Sequence, residues 1–126
     1  MKERSPLINF SRSELNTQTD VSGPYSWKVN WVVPDDFPFF EGHFPEAPIL
    51  PSVIILEASL ELIGLFLEEK EIFLREVKTA KFFVPITPGS KEVIKGFAKN
   101  SKDHWVVDWF EKGGDTKCAS FSLILN

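Results

Sequence analysis

The chain has 126 residues, 43% of them apolar, twelve phenylalanines among them, and a formal net charge of −4. That length holds one domain with a real core but not two, and the apolar content excludes disorder throughout. The charge is opposite in sign to the basic excess of a nucleic-acid binder, so no nucleic-acid partner is expected.

Residues 1–24 are mostly polar and read as a loosely ordered N-terminal arm ending at Gly23-Pro24, with Leu7, Ile8 and Phe10 available to dock. Nothing in them has the apolar run of a secretory signal. Residues 25–126 read as the folded domain. From Tyr25 to Val33 apolar side chains alternate with polar ones, Tyr25, Trp27, Val29, Trp31 and Val33 on one face, which predicts a half-buried strand. Residues 37–51 carry Pro38, Pro45, Pro48 and Pro51 among phenylalanines. Proline at that density forbids helix and central strand, yet the segment is too apolar for an ordinary surface loop. It predicts a fixed loop packed into the body, where function concentrates.

Ser52 to Glu69 contains no proline and is apolar on nearly every side, which predicts a buried helix. Strands are then predicted over Phe73–Val84, Lys91–Ala98, His104–Phe110 and Lys117–Leu125, with turns at Pro88-Gly89, Lys99–Asp103 and Gly113-Gly114-Asp115. The most continuous apolar stretch, Ile49 to Leu56, is too short to span a bilayer, so no membrane insertion is expected. One cysteine, Cys118, cannot make an internal disulfide or a Cys-rich metal site, and a reducing, cytoplasmic setting fits it best. The predicted class is α+β: a curved antiparallel sheet of about five strands wrapped around one long central helix, the hotdog architecture.

Two residues stand out as candidates for chemistry. His43 lies in a loop made rigid by prolines, beside Gly42, which lets a ligand approach the backbone closely. Glu57 follows Val53-Ile54-Ile55-Leu56 on the buried helix, where desolvation favours a neutral carboxyl that can donate a proton. The competing reading is a glutamate that reaches water or pairs with a strand lysine. Glu61, one turn on, is expected simply to point out of the helix. The first amides of that helix, at Ser52 and Val53, lack internal acceptors and carry partial positive charge, so they can hold a carbonyl oxygen that gains negative charge. His104 reads as solvated in a polar turn and Cys118 as a packed small residue. Trp27, Trp31, Trp105 and Trp109 read as core or subunit interface. No glycine-rich phosphate loop and no metal-ligand spacing is present, so no metal is expected.

The run Phe39-Phe40-Glu41-Gly42-His43-Phe44-Pro45-Glu46-Ala47-Pro48-Ile49-Leu50-Pro51-Ser52-Val53, then Leu56-Glu57-Ala58, resembles the 3-hydroxyacyl-acyl-carrier-protein dehydratases of bacterial fatty-acid synthesis. That motif has an acidic residue fourteen positions after its histidine, as Glu57 follows His43. Phe82 to Gly89 also looks like the family's later strand and turn, and the resemblance covers residues 27–125. It implies a hotdog dimer with two active sites at the interface, each pairing the histidine of one subunit with the acid of the other. It implies no cofactor, and a substrate delivered on the phosphopantetheine arm of an acyl carrier protein. His43 would act as base, Glu57 as acid, with Gly42, Ser52 and Val53 around the substrate.

Three features depart from the family. Ser52 stands where it has glycine, Glu61 where it often has glutamine, and its usual N-terminal segment is not visible in residues 1–24. These departures point to a shorter branch serving aryl-polyene or other specialised lipid assembly. A non-catalytic acyl-binding hotdog subunit and a hotdog thioesterase are the alternatives. Arg75, Lys78, Lys81, Lys91 and Lys95 read either as a basic surface for an acidic carrier protein or as a solvated strand face.

Overall fold

The computed structural model of the chain describes residues 8–11, 16–17, 25–36, 48–69 and 72–126. Its elements are β1 (Asn16–Thr17), β2 (Ser26–Val32), α1 (Ser52–Leu67), β3 (Leu74–Phe82), β4 (Lys91–Ala98), β5 (His104–Glu111) and β6 (Thr116–Leu125). The strands form one sheet in the order β1-β2-β4-β5-β6-β3, and every neighbouring pair is antiparallel. The five expected strands are all present, with two-residue β1 added outside β2. Gly113 and Gly114, both at positive φ, turn β5 into β6.

Alternation places the core. Trp27 and Val29 of β2, Ile94 of β4, Trp105, Val107 and Trp109 of β5, and Phe121 and Leu123 of β6 are all buried. They face α1, whose Ile54, Ile55, Ala58, Leu62 and Ile63 complete the cluster. The helix is fastened to β5 at two heights. Trp109 Nε1 donates to Ser59 Oγ at 3.0 Å, and the rings of Phe66 and Trp105 meet edge to face at 5.7 Å. Tyr25 is an exception to the predicted face: it is 39% exposed and lies just before the strand.

α1 ends two residues earlier than predicted because Glu68 turns left-handed (φ 59°), with Glu69 N–H closing onto the Gly64 carbonyl at 3.0 Å. The chain then crosses close over Gly64, where an added Cβ would lie 2.9 Å from Ile72 Cγ1. At the other end, Leu50 N–H donates to the Ile86 carbonyl at 2.7 Å, and both side chains are buried. That bond fixes where the helix begins.

β3 differs from the other strands. It lies at a sheet edge, its register against β6 shifts twice, and residues 75–82 are all exposed. Phe73, Val77, Phe82 and Phe83 put large apolar side chains there. No helix among the described residues is long and apolar enough to cross a membrane.

Candidate active site

The described part of the candidate site is the first half of α1. Pro51 precedes the helix in extended conformation (φ −60°, ψ 146°) and places no side-chain cap on it. Its carbonyl accepts from Ile54 and Ile55 at 3.0 and 3.2 Å. The amides of Ser52 and Val53 therefore precede the helix's own ladder and lie at the positive end of its dipole. Both residues are exposed, Val53 at 58%. An oxyanion-type donor needs that combination of free N–H direction and open approach.

Glu57 sits about one turn further on, half-buried, between half-buried Leu56 and buried Ala58. It is thus on the boundary of the core, between the desolvated carboxyl and the water-reaching glutamate that the sequence leaves open. Ser52, Val53 and Glu57 lie in the opening stretch of one helix. His43 and Gly42 lie outside the described residues, with the rest of residues 37–47.

Glu61 does not simply point out of the helix. Its half-buried carboxylate accepts the Ile8 N–H at 3.1 and 3.2 Å and the Asn9 N–H at 3.2 Å. Asn9 reaches this position at φ 63°, a left-handed conformation that asparagine tolerates. Phe10 follows into the core, edge to face with Trp31 at 5.4 Å. Glu61 therefore ties the segment 8–10 to the same helix that carries Glu57. Nothing local in the sequence links residues 53 positions apart.

His104 also departs from expectation. It is the first residue of β5 and is half-buried, with Nε2 2.8 Å from Ser122 Oγ. Burial, then the charges of Lys78 and Lys99, hold its pKa below the usual histidine value. Cys118 is fully buried, as a packed residue should be. The five basic residues weighed as a docking surface divide: Arg75, Lys78 and Lys81 lie on β3, Lys91 and Lys95 on β4, with β5 and β6 between. Glu92 is a buried carboxylate that the sequence reading passed over. It shares strand parity with Ile94 and Gly96, both buried, and that parity was the available signal.

The family model described as ApeI-like, ApeI dehydratase, matches residues 17–122. The chain belongs to the ApeI-like dehydratase family. Beyond this family, the chain is similar to the 3-hydroxyacyl-acyl-carrier-protein dehydratase FabZ of Chlamydia muridarum, at 47% identity over 66 residues, 46% of this chain and 43% of the relative. It is similar to FabZ of Alkalilimnicola ehrlichii at 31% identity over 98 residues, 64% of this chain and 63% of the relative. The matched region spans about half the length of several such relatives.

Among solved structures, the dehydratase heterocomplex ApeI:P of Xenorhabdus doucetiae superposes with a TM-score of 0.65 at 17% identity, covering 86% of this chain and 91% of that one. An uncharacterised protein from Erwinia carotovora gives 0.69 at 23% identity, covering 80% and 82%. At these identities the likeness is one of fold. The ApeI-like chain has the hotdog fold, its sheet packed on one central helix, as predicted.

Proposed function

We propose that the chain is a dehydratase of (3R)-3-hydroxyacyl thioesters, carried on acyl carrier protein, yielding trans-2-enoyl thioesters in the cytoplasm for fatty-acid or related lipid assembly. The observation that carries this reading is family membership over residues 17–122 combined with a half-buried Glu57 one turn behind open helix-start amides.

The chemistry follows from the residue types. His43 removes the C2 proton, which the thioester carbonyl acidifies. Negative charge moves onto the thioester oxygen, where the Ser52 and Val53 amides hold it. The C2–C3 double bond forms as the C3–O bond breaks, and Glu57 delivers the proton with which the hydroxyl leaves as water. Gly42, having no side chain, would leave room for the substrate beside His43. No metal or cofactor is required, because one proton is taken and one given.

In this reading His43 works with Glu57 of the partner subunit in a homodimer, so each site needs two chains. The open edge of β3 supports such pairing, since a second chain can cover its exposed Val77 and Phe82 and the flanking Phe73 and Phe83. Turnover of 3-hydroxyacyl thioesters of several lengths, on acyl carrier protein and on coenzyme A, is the test. His43→Ala should abolish turnover, and Glu57→Gln should lower kcat by about 10²–10⁴-fold. Full activity of either variant overturns its role, and release of free thiol instead of enoyl product overturns dehydration.

A second reading has one observation behind it: the ApeI of Xenorhabdus doucetiae is described as a heterocomplex. Here the chain would pair with a different hotdog subunit and need not be catalytic. A purified homodimer that turns over substrate without a second protein excludes it.

A further inference from the structure

The sheet end formed by β4, β5 and β6 gathers acidic groups that the proposed chemistry does not use. Glu92 is 1% exposed and Cys118 fully buried, while Glu111 is half-buried. One donor atom from each, a carboxylate oxygen or the thiol sulfur, lies within 4.8 Å of the other two. Cys118 Sγ is 4.0 Å from Glu92 Oε2.

The local backbone explains how a thiol reaches two carboxylates. Trp109 pairs with Ala119 and Phe110 with Lys117, so Cys118 is the extra residue of a β-bulge. A bulge re-aims a side chain out of strict alternation. Its carbonyl is held by the Phe83 and Val84 amides at 2.8 and 3.3 Å, so the bulge is fixed from outside the hairpin.

Either a proton or a cation joining this grouping would relieve it. Like charges facing each other across adjacent strands destabilise a sheet. Buried carboxylate oxygens are ordinarily hydrogen-bonded. Ser90 Oγ donates to Glu92 Oε2, but Oε1 is buried with no partner among the described residues. Since the two oxygens of one carboxylate are neighbours, this orphaned atom belongs to the cluster. An approach exists: Glu111 and Ser90 line an open depression of about 390 Å³ with Thr87, Pro88, Gly89 and Lys91.

We propose that Glu92, Glu111 and Cys118 form a binding site for a borderline-soft divalent cation of the zinc class, sharing no residue with the proposed dehydratase site, with its open coordination position toward the depression. A thiolate with two carboxylates is a donor set for zinc, whose bonds to oxygen and sulfur are about 2.0–2.3 Å, and donors within 4.8 Å of one another close onto such an ion by small side-chain shifts. Binding forms an S–Zn bond and releases the thiol proton to solvent. The site escapes a spacing search because its members come from three strands.

The test uses the tag-free, reduced, full-length chain stripped with chelator. Calorimetric titration with Zn²⁺ should show one ion per chain. Titration with Co²⁺ should develop a sulfur-to-cobalt charge-transfer band in the near ultraviolet. Glu92→Gln and Glu111→Gln should each weaken binding roughly tenfold or more, as losing a ligand costs at least what losing its supporting shell does. Cys118→Ser should remove the band. Glu111 is only half-buried, so E111Q keeps the test open if a core variant fails to fold. Absence of stoichiometric binding by the unmodified chain, or affinity unchanged in E111Q, overturns the site.

Discussion

His104 shows how one half-buried side chain writes a pH dependence into the fold. Its ring loses water on folding and faces the charges of Lys78 and Lys99, so the folded state takes up a proton less readily than the unfolded chain does at its value of 6.5. Its contribution to stability is therefore whole above 6.5 and is lost as pH falls through the lower folded value. The Tm should drop as pH is lowered below 6.5, and His104→Gln should flatten that part of the curve. A variant whose pH profile overlays that of the parent would remove His104 from the account. The same residue scale explains Glu61. A carboxylate accepting backbone N–H groups from the segment 8–9 is a charge-assisted tether, so the departure from glutamine at this position has a structural partner.

Among the elements, the pairing of β2 with β4 depends on a missing side chain. Gly96 lies opposite Trp27 in the register, and an added Cβ would fall 2.3–2.4 Å from the indole ring. The large ring fills the space that glycine leaves empty. Gly96→Ala should cost about 1–3 kcal/mol, read as a lower denaturant midpoint, because the indole is locked between β4 and the Trp105 ring 6.4 Å away. An unchanged midpoint would mean that Trp27 can move aside. α1 shows the opposite economy. Its start is set by the Leu50–Ile86 bond and its end by left-handed Glu68, so the amides at Ser52 and Val53 are placed by tertiary contacts and not by a side-chain cap.

Across the whole molecule, the two sheet edges are unequal. One carries the two-residue β1, while the other is nine-residue β3 with exposed Val77, Phe82 and nearby Phe83. If β3 is where two chains meet, activity and assembly should fall together. Val77→Asp should shift the protein to monomers in sedimentation and lower specific activity in proportion, with the circular-dichroism spectrum retained. A monomeric variant with full turnover would show that each chain carries a complete site.

The sequence by itself determined the elements. Period-two runs gave β2 and β5, breaks at glycine and proline bounded β3, β4 and β6, and the proline-free apolar run gave α1, because these signals are local, whereas β1 falls in the segment read as an arm. It also marked His43 and Glu57 through their fixed separation in a motif, and family membership over residues 17–122 agrees with the resemblance that motif suggested. The tertiary structure decided what depends on distance in space between residues remote in sequence. It alone set the strand order that divides the basic residues between β3 and β4, the hold of Glu61 on residues 8 and 9, the burial of His104 against Ser122, and the meeting of Glu92 with Cys118 through a bulge. Alternation says which face a side chain takes. It does not say which strand lies next to it, and a one-residue bulge cancels alternation where it occurs.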